Sequence, residues 1–269
     1  MKAMCAFFGI SRASYYGWVQ RTQQPDRDAA NKQLIQEAYE KSHQTYGYRR
    51  ITLWIRKHKG ICLNHKTVLR LMRVLQIRSM ARRQKLFKRL ANPDSYHRYD
   101  NVLNRNFTAT PPNQKWTTDI TYLRSQQGWV YLSVIRDLFD GFIVAYELGR
   151  ENSLALVLNT LKQAKQNEPI REGLILHSDQ GFQYTSHEYH TLIREYAITP
   201  SMSRRANCWD NAPMENFFGH LKTEGLHAVH HPPLQDLKQI LDDYVHFYNY
   251  ERIQLKTRQT PFETRCLSS

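Results

Sequence analysis

Three acidic residues in the second half of the chain could share metal ions. Asp119 interrupts a β-rich run between Thr118 and Ile120, where a carboxylate costs free energy unless it is paired or bound to metal. Asp179 directly follows a short apolar run, and Glu215 falls in the first turn of a predicted helix. Asp is also a common turn former, so a structural cap is the alternative for Asp179. We interpret the three acids as one candidate metal-binding set.

The chemistry of such a set follows from its ligands. Oxygen ligands without cysteine or an obligatory histidine favour Mg²⁺ or Mn²⁺ over zinc. Two such ions about 4 Å apart activate an attacking oxygen and stabilise the leaving oxygen of an in-line displacement at phosphorus. The sequence contains neither a Walker-type glycine loop nor a Gly-x-Ser-x-Gly elbow, which argues against ATP and serine-hydrolase chemistry. The acids therefore indicate a nuclease or a strand-transfer enzyme.

The predicted helix that carries Glu215 adds two polar residues to the same side. Lys222 is seven positions further on, and at about 100° per residue it falls within roughly 20° of that face. Asn211 lies four positions before Glu215 and shares the face. A lysine there could hold a substrate phosphate. The alternative is an ordinary exposed lysine on an amphipathic helix.

Strands and helices alternate around these acids. Three β-rich runs separated by Gly128 and Gly141 have the spacing of a meander. The predicted strands cover residues 116–123, 128–137, 141–149, 173–179 and 197–201, and the predicted helices cover 153–166, 186–196, 212–225 and about 234–250. This order indicates a mixed α/β domain.

The basic residues are concentrated in the first part of the chain. Residues 1–108 carry 22 lysines and arginines against 6 acidic residues, a balance of +16, whereas residues 109–269 carry 16 against 18, a balance of −2. A field of that sign attracts polyanions such as DNA; a basic face that only confers solubility is the alternative. We predict a helical DNA-binding region at 1–85, a basic linker at 86–107 that orders only on nucleic acid, and the α/β domain at 108–269.

The basic region contains two predicted pairs of helices. In the first, Gly9 breaks a short helix, and Ser11 or Ser14 caps the next. Helix, glycine turn and helix is the helix-turn-helix plan, which would bring Arg12 and Ser14 to the major groove. A plain helical hairpin would give the same pattern.

The second pair has a clear apolar stripe and a basic surface. Ile51, Trp54 and Ile55 recur with helical spacing, Gly60 ends that helix, and Asn64 can cap the next. The buried side of the next helix is predicted to contain Val68, Leu71, Met72 and Leu75. The basic residues that we expect to contact phosphates are Arg49, Arg50, Lys66 and Arg70.

The cysteines and the hydropathy bound the cellular setting. The four cysteines stand far apart without a Cys-x-x-Cys pair, so no disulfide framework or sulfur-ligated zinc site is predicted. The apolar runs are shorter than the roughly 18 residues that a membrane span needs. A reducing, intracellular setting fits, and we expect a cytoplasmic protein with no membrane partner.

Four motifs give the chain a family resemblance. The stretches WTTDITYL, HSDQGFQYTS, SRRANCWDNAPMENFFGHLKTE and YNYERIQLKTRQTPFE, with TYGYRRI in the basic half, closely resemble the second-reading-frame (OrfB) transposases of the bacterial insertion-sequence three family. The resemblance covers nearly the whole chain. It implies an RNase H-like, retroviral-integrase-type catalytic core with a mixed five-stranded sheet flanked by helices, preceded by the all-α helix-turn-helix region.

The resemblance also assigns roles to individual residues. It makes Asp119, Asp179 and Glu215 the metal ligands of a DDE site, with Mg²⁺ or Mn²⁺ as the expected cofactor in the form of two ions. It also matches Lys222 to a lysine that contacts transposon-end DNA. Further motif residues have less defined roles. Supporting positions are Gln180, Trp209 and Asn211, and DNA contacts are expected from the loop residues Arg204 and Arg205. For the terminal group of Tyr248, Asn249 and Arg252, we favour packing over DNA contact.

The expected activity is cleavage of insertion-sequence ends followed by strand transfer. The expected partners are transposon-end and target DNA, further copies of the chain assembled on DNA, and the product of the upstream reading frame (OrfA). Members of the family usually act as a fusion with that product, which supplies a helix-turn-helix and a leucine zipper; neither precedes Met1. A catalytically inactive DNA-binding regulator and an RNase H-type nuclease are the two alternatives.

Overall fold

The chain folds into two compact units, residues 1–79 and residues 80–269. The structure is a computed structural model, and it describes residues 1–23, 25–79, 98–204, 207–226, 229 and 231–267. Each unit has its own buried core, and each is described by itself.

The first unit is helical. Its helices are α1 (Lys2–Phe7), α2 (Arg12–Gln23), α3 (Ala29–Lys41), α4 (Tyr48–Lys59) and α5 (His65–Val74). Helices α3, α4 and α5 pack around a core that includes Ile35, Ala38, Ile51, Ile55, Val68 and Leu71, all of them fully buried. Burial of these apolar side chains stabilises the bundle.

The helix ends follow the predicted caps. Ser11 accepts a hydrogen bond from the backbone N–H of Ser14 at 3.0 Å, and Asn64 accepts one from Lys66 at 2.9 Å. Gly9 and Gly60 adopt φ of +63° and +67°, a conformation that favours glycine. The predicted boundaries of both pairs are therefore confirmed.

Helix α3 was not predicted. Charged and amide residues surround its two buried positions, Ile35 and Ala38. A stripe that narrow gives little periodic signal. The helix is held by its neighbours instead: Lys59 of α4 forms an ion pair with Glu37 at 2.7 Å, and Arg70 of α5 forms one with Asp28 at 2.8 Å.

The second unit is built on a mixed five-stranded sheet, as predicted. Its strands are β1 (Lys115–Ser125), β2 (Gly128–Asp137), β3 (Ile143–Gly149), β4 (Ile175–Ser178) and β5 (Thr199–Met202). They lie in the order β3-β2-β1-β4-β5. The first three form an antiparallel meander, and β4 and β5 run parallel to β1. The carboxyl ends of β1, β4 and β5 therefore point in one direction.

Helices flank this sheet. They are α6 (Leu154–Asn167), α7 (His187–Glu195), α8 (Ala212–His220), α9 (Leu234–His246) and α10 (Pro261–Cys266). A core of Trp116, Leu161, Leu176 and Ile193 joins α6 and α7 to the sheet. Helix α8 packs against β1.

Two of the helices continue in an unexpected form. After α8 the chain forms a π-helical segment at Leu221–Gly225, and after α9 it forms a second one at Phe247–Glu251. Sequence patterns predict uninterrupted α-helices there, because apolar periodicity does not distinguish one wide turn from a regular one. Such turns are frequent at functional sites.

Residues assigned to the linker contribute to the second unit. Residues 80–97 lie outside the described residues. Beyond them, Leu103 is buried, its N–H donates to Ser201 Oγ at 3.0 Å, and Arg105 Nε donates to Asp210 at 2.7 Å. Residues 98–107 thus pack against the rest of the second unit.

Within the described part of the chain, no helix is both long enough and apolar enough to cross a membrane.

Candidate active site

Two of the three candidate acids lie level with each other on neighbouring strands. The parallel register of β1 and β4 pairs Trp116 with Leu176 and Thr117 with His177. Continued by two residues, that register brings Asp119 level with Asp179, across a strand spacing of about 4.8 Å. Asp119 is only 2% exposed. The continued register therefore puts Asp179, the first residue after β4, beside Asp119, the fifth residue of β1.

A buried tyrosine, Tyr184, is close to both aspartates. Tyr184 is 1% exposed, and its hydroxyl lies 3.3 Å from Thr118 Oγ1. Burial raises the pKa of Tyr184 well above its ordinary value, and the negative charges of Asp119 and Asp179 raise it further. Both carboxylates thus act on one phenol.

Asn211 fixes the start of the helix that carries Glu215. It is 3% exposed, accepts a hydrogen bond from the Thr117 hydroxyl at 2.5 Å, and donates to the Thr118 carbonyl at 3.1 Å. Because side chains alternate along a strand, Thr117 and Asp119 lie on the same face of β1. The first turn of α8, with Glu215, is therefore attached to that face.

The three acids fit a hard cation by their chemistry, since each offers only oxygen ligands. Among the residues that the structure describes, no three His, Cys, Asp or Glu side chains are grouped closely enough to hold a metal ion. Asp119 and Asp179 each accept a backbone hydrogen bond instead, from Ile120 at 2.8 Å and from Gly181 at 2.9 Å.

Lys222 lies just beyond α8, in the first π-helical segment. Its Nζ is 4.9 Å from the ring centroid of Tyr122, which follows Asp119 by three residues on β1. The sequence argument assumed an unbroken α-helix from Asn211 to Lys222, and the π segment changes the angle between Lys222 and Glu215. The lysine is directed by its contact with β1 instead of by helical periodicity alone.

His177 and its neighbours connect β4 to β5. The imidazole is fully buried between the hydroxyls of Ser201, 2.9 Å from Nδ1, and Ser203, 3.0 Å from Nε2. Burial lowers the pKa of His177 to about 4, so the ring is neutral at pH 7. Gln180 donates to the Ser203 carbonyl at 3.1 Å. These residues hold the loop that presents Asp179.

The polar loop before α8 contains a buried ion pair. Asp210 is fully buried and binds both Arg204 Nη2 at 2.8 Å and Arg105 Nε at 2.7 Å. Hydrogen bonds from Arg204 hold the pKa of Asp210 well below its ordinary range. Arg204, expected to contact DNA, thus has a structural partner, although its side chain is 51% exposed. Arg205 lies outside the described residues.

Trp209 is 70% exposed, an unusual position for a tryptophan. It is located two residues before Asn211, in the turn that leads into α8. Its exposure fits a residue that meets a substrate instead of the core.

The predicted phosphate contacts of the first unit lie mostly at its surface. Arg12, Ser14, Arg49 and Lys66 are exposed, and Arg50 is partly buried with its guanidinium 5.6 Å from the Tyr46 ring centroid. The side chain of Arg70 is 58% exposed, but it pairs with Asp28. Surface ion pairs of this kind are weak and can exchange for a phosphate.

The terminal motif packs into the core, as we favoured. Tyr248, Asn249 and Arg252 are 1%, 3% and 0% exposed. Asn249 exchanges two hydrogen bonds with the backbone of Ile143 on β3, at 2.9 and 3.1 Å. Arg252 binds Glu224, in the first π segment. Sequence reasoning missed the roles of Glu224 and Tyr184, because nothing in their spacing identifies their buried partners.

Matches to known families agree with this architecture. Family models described as Integrase core domain match residues 109–208 and 215–267, and one described as HTH-like domain matches residues 25–85. The HTH-like match covers α3 to α5, and α1 and α2 precede it. A simian T-cell lymphotropic virus intasome structure aligns with 86% of this chain and 74% of its own, at 16% identity and a TM-score of 0.53. The fold is that of an integrase-type catalytic core accompanied by a helical HTH-like unit.

Curated relatives define the family. InsK, the transposase assigned to insertion sequence element IS150 of Escherichia coli, is 37% identical over 95% of this chain and 90% of its own length. InsF, the E. coli transposase for insertion sequence IS3A, is 32% identical over 91% and 86%. The chain belongs to the IS3 family of transposases and is of the OrfB type.

Proposed function

We propose that this transposase cleaves insertion-sequence ends and transfers the cut strand through Asp119, Asp179 and Glu215. The observation that carries the proposal is the register of β1 and β4, from which we infer that Asp119 and Asp179 are neighbours. The bond between Asn211 and Thr117 adds the start of α8 on the same side. Membership of the IS3 family makes DNA the substrate.

The three carboxylates would hold Mg²⁺ or Mn²⁺, and two ions would supply activation of the attacking oxygen and stabilisation of the leaving oxygen. In the first step water cleaves the transposon end and leaves a 3′-hydroxyl. In the second step this hydroxyl attacks a phosphodiester in target DNA or in the other end, so one bond to phosphorus forms as another breaks. No ATP is required, because the bonds exchanged are equivalent.

The protein residues around the acids position the DNA. Lys222 is the residue that we assign to a phosphate of the transposon end, and Tyr122 holds its ammonium group above β1. Trp209 and Arg204 lie in the segment that leads into α8. Arg12, Ser14, Arg49, Arg50, Lys66 and Arg70 would contact DNA from the first unit.

The same proposal includes the partners. Two ends must be processed together, so we expect several copies of the chain on DNA, acting in the cytoplasm. We also expect the upstream-frame OrfA product to act with the chain, as partner or fusion. Strand-transfer assays with and without that product measure its contribution.

A cleavage and joining assay tests the activity itself. Labelled end DNA with Mn²⁺ or Mg²⁺ should give nicked and joined products, and Asp119→Asn, Asp179→Asn and Glu215→Gln should abolish both while DNA binding persists. Asp236→Asn, at an exposed position of α9, is the matched control and should be as active as the unchanged protein. Binding without nicking in the unchanged protein would support an inactive regulator, and cleavage of RNA in a hybrid without DNA joining would support an RNase H-type nuclease.

A further inference from the structure

Two aromatic side chains stand exposed beside the candidate active site. Tyr122 on β1 is 39% exposed, and Trp129 on β2 is 51% exposed. Their rings meet edge to face, with centroids 5.3 Å apart and planes at 82°. Two large rings on a sheet surface leave apolar area in water, and exposed patches of this kind commonly mark binding sites.

Each ring is accompanied by a cation. Lys222 Nζ is 4.9 Å from the Tyr122 centroid, and the Arg124 guanidinium is 5.2 Å from that of Trp129. The four side chains form a continuous row in the order Lys222, Tyr122, Trp129 and Arg124. We refer to this row as the aromatic platform.

The platform lies close to the acids. Tyr122 follows Asp119 by three residues on the same strand, which corresponds to about 10 Å at the usual rise per strand residue. That distance is on the order of one or two nucleotides of an extended strand. Because side chains alternate along a strand, Tyr122 lies on the face opposite Asp119. The platform is connected to the helix of Glu215 through Lys222, which follows Glu215 by seven residues and contacts the Tyr122 ring. A DNA strand bound by Lys222 therefore has the platform within its length.

The hairpin of β1 and β2, which carries Tyr122, Trp129 and Arg124, is anchored at its tip. The Ser125 hydroxyl donates to the Gly128 carbonyl at 2.9 Å, and the Gln126 N–H donates to the Pro232 carbonyl at 3.1 Å. Gln127 Oε1 accepts from the Leu234 N–H at 3.0 Å. A platform on such a fixed element loses little conformational entropy when a ligand binds.

We propose that the aromatic platform binds unpaired nucleotides of the transposon-end DNA next to the phosphodiester that is cut. Base faces are covered by stacking within a duplex, so exposed aromatic rings can stack only on bases that are unpaired or flipped out. The two cations fit phosphates on either side of such bases. A pair of rings with a cation at each end matches a single strand better than an apolar protein partner. The inference deepens the proposed function, since it names the form of DNA that this site takes.

DNA-binding measurements test the proposal without requiring catalysis. The probes are a labelled transposon-end duplex with a single-stranded flank and the same duplex with the flank paired, both measured by fluorescence anisotropy in the full chain. Stacking is worth about 1–3 kcal/mol per base, so Trp129→Ala should weaken binding of the single-stranded flank by about tenfold. Binding of the paired flank should change less than about twofold.

Two further variants complete the test. Trp129→Phe keeps an aromatic face and should restore most of the lost affinity. Phe262→Ala removes a comparably exposed ring, 42% exposed, from α10, and should leave the ratio between the two probes unchanged. The proposal would be overturned if Trp129→Ala weakened binding of both probes equally, or if it left the affinity for the single-stranded flank unchanged.

The joining assay separates this inference from the proposed function. If the unchanged protein joins end DNA but Trp129→Ala shows no selective loss of binding, the platform does not bind unpaired nucleotides. The proposed transposase function is then still supported. If the selective loss occurs and the unchanged protein joins no DNA, the platform stands as a single-strand site and the function is wrong.

Discussion

Glu224 and Arg252 form a buried, two-pronged ion pair that connects the two π-helical segments. Arg252 Nε and Nη2 each donate to one carboxylate oxygen of Glu224 at 2.7 Å. Glu224 lies two residues after Lys222 in the first segment, and Arg252 immediately follows the second. Tyr244 and His220 complete the set of partners around the carboxylate. The pair therefore fixes the turn that presents Lys222 to β1.

Breaking this pair should destabilise the second unit strongly. Glu224→Gln leaves the guanidinium of Arg252 buried without its counter-charge, and loss of one partner of a buried pair costs about 3–5 kcal/mol. Urea unfolding at pH 7 measures the change. Glu251→Gln removes an exposed carboxylate nearby, 52% exposed, and should cost less than about 0.5 kcal/mol. Equal stability of the two variants would contradict the structural role.

The same pair predicts sensitivity to acid. Burial by itself raises the pKa of Glu224, but hydrogen bonds from Arg252 and His220 outweigh it and hold the pKa below its ordinary value. An unfolded Glu takes up its proton near pH 4, so the stabilisation is complete above about pH 5 and is lost as the pH falls toward the folded pKa. Unfolding free energies between pH 5.5 and 3 should fall less steeply in Glu224→Gln. A parallel decline in both proteins would contradict the expected linkage.

Removal of the Asn211 amide should impair catalysis beyond its effect on stability. Asn211→Ala loses both bonds to β1, which costs about 1–3 kcal/mol, and it frees the first turn of α8. Displacement of a reacting group by about 1 Å can cost a hundredfold in rate, so joining should fall by about 10- to 100-fold and require more Mn²⁺ for half-maximal rate.

A matched control exists for that substitution. Asn249 is equally buried and also makes two backbone hydrogen bonds, but its partner Ile143 is on β3, two strands from Asp119. Asn249→Ala should lose similar stability with an unchanged dependence on Mn²⁺. If the two variants shift the metal dependence alike, Asn211 has no special role in placing Glu215.

Lys222 should contribute one phosphate contact. Lys222→Ala should weaken binding of end DNA and lower the slope of log affinity against log salt by about 1, whereas Lys222→Arg should retain most of the affinity. Lys238→Ala, at an exposed position of α9, serves as control. Unchanged binding and joining in Lys222→Ala would show that the substrate role is misplaced.

The sequence predicts the strands, and marks the three candidate acids, better than it predicts their environment. Asp119 is identifiable because a carboxylate in a β-rich run needs a compensating partner, and Gly60 and Asn64 because caps act within a few residues. Helix α10 also has a local signal in the sequence, the capping box between Thr260 and Glu263.

The sequence does not predict the long-range partners of these residues. The bond from Asn211 to Thr117 and the ion pair from Glu224 to Arg252 join residues 94 and 28 positions apart. Their existence depends on which elements the fold brings together, and no local pattern encodes it. The π segment before Lys222 is similar, since it follows from the partners of Glu224 instead of from helical propensity.

Exchange of one aspartate for cysteine tests the central claim, that these carboxylates hold the ions used in strand transfer. Thiolate is a poor ligand for Mg²⁺ and a better one for softer ions, so Asp119→Cys and Asp179→Cys should join no end DNA in Mg²⁺ and should recover part of the joining in Mn²⁺, with Asp236→Cys active in both. Joining by either active-site variant in Mg²⁺ at the rate of the unchanged protein would contradict the account.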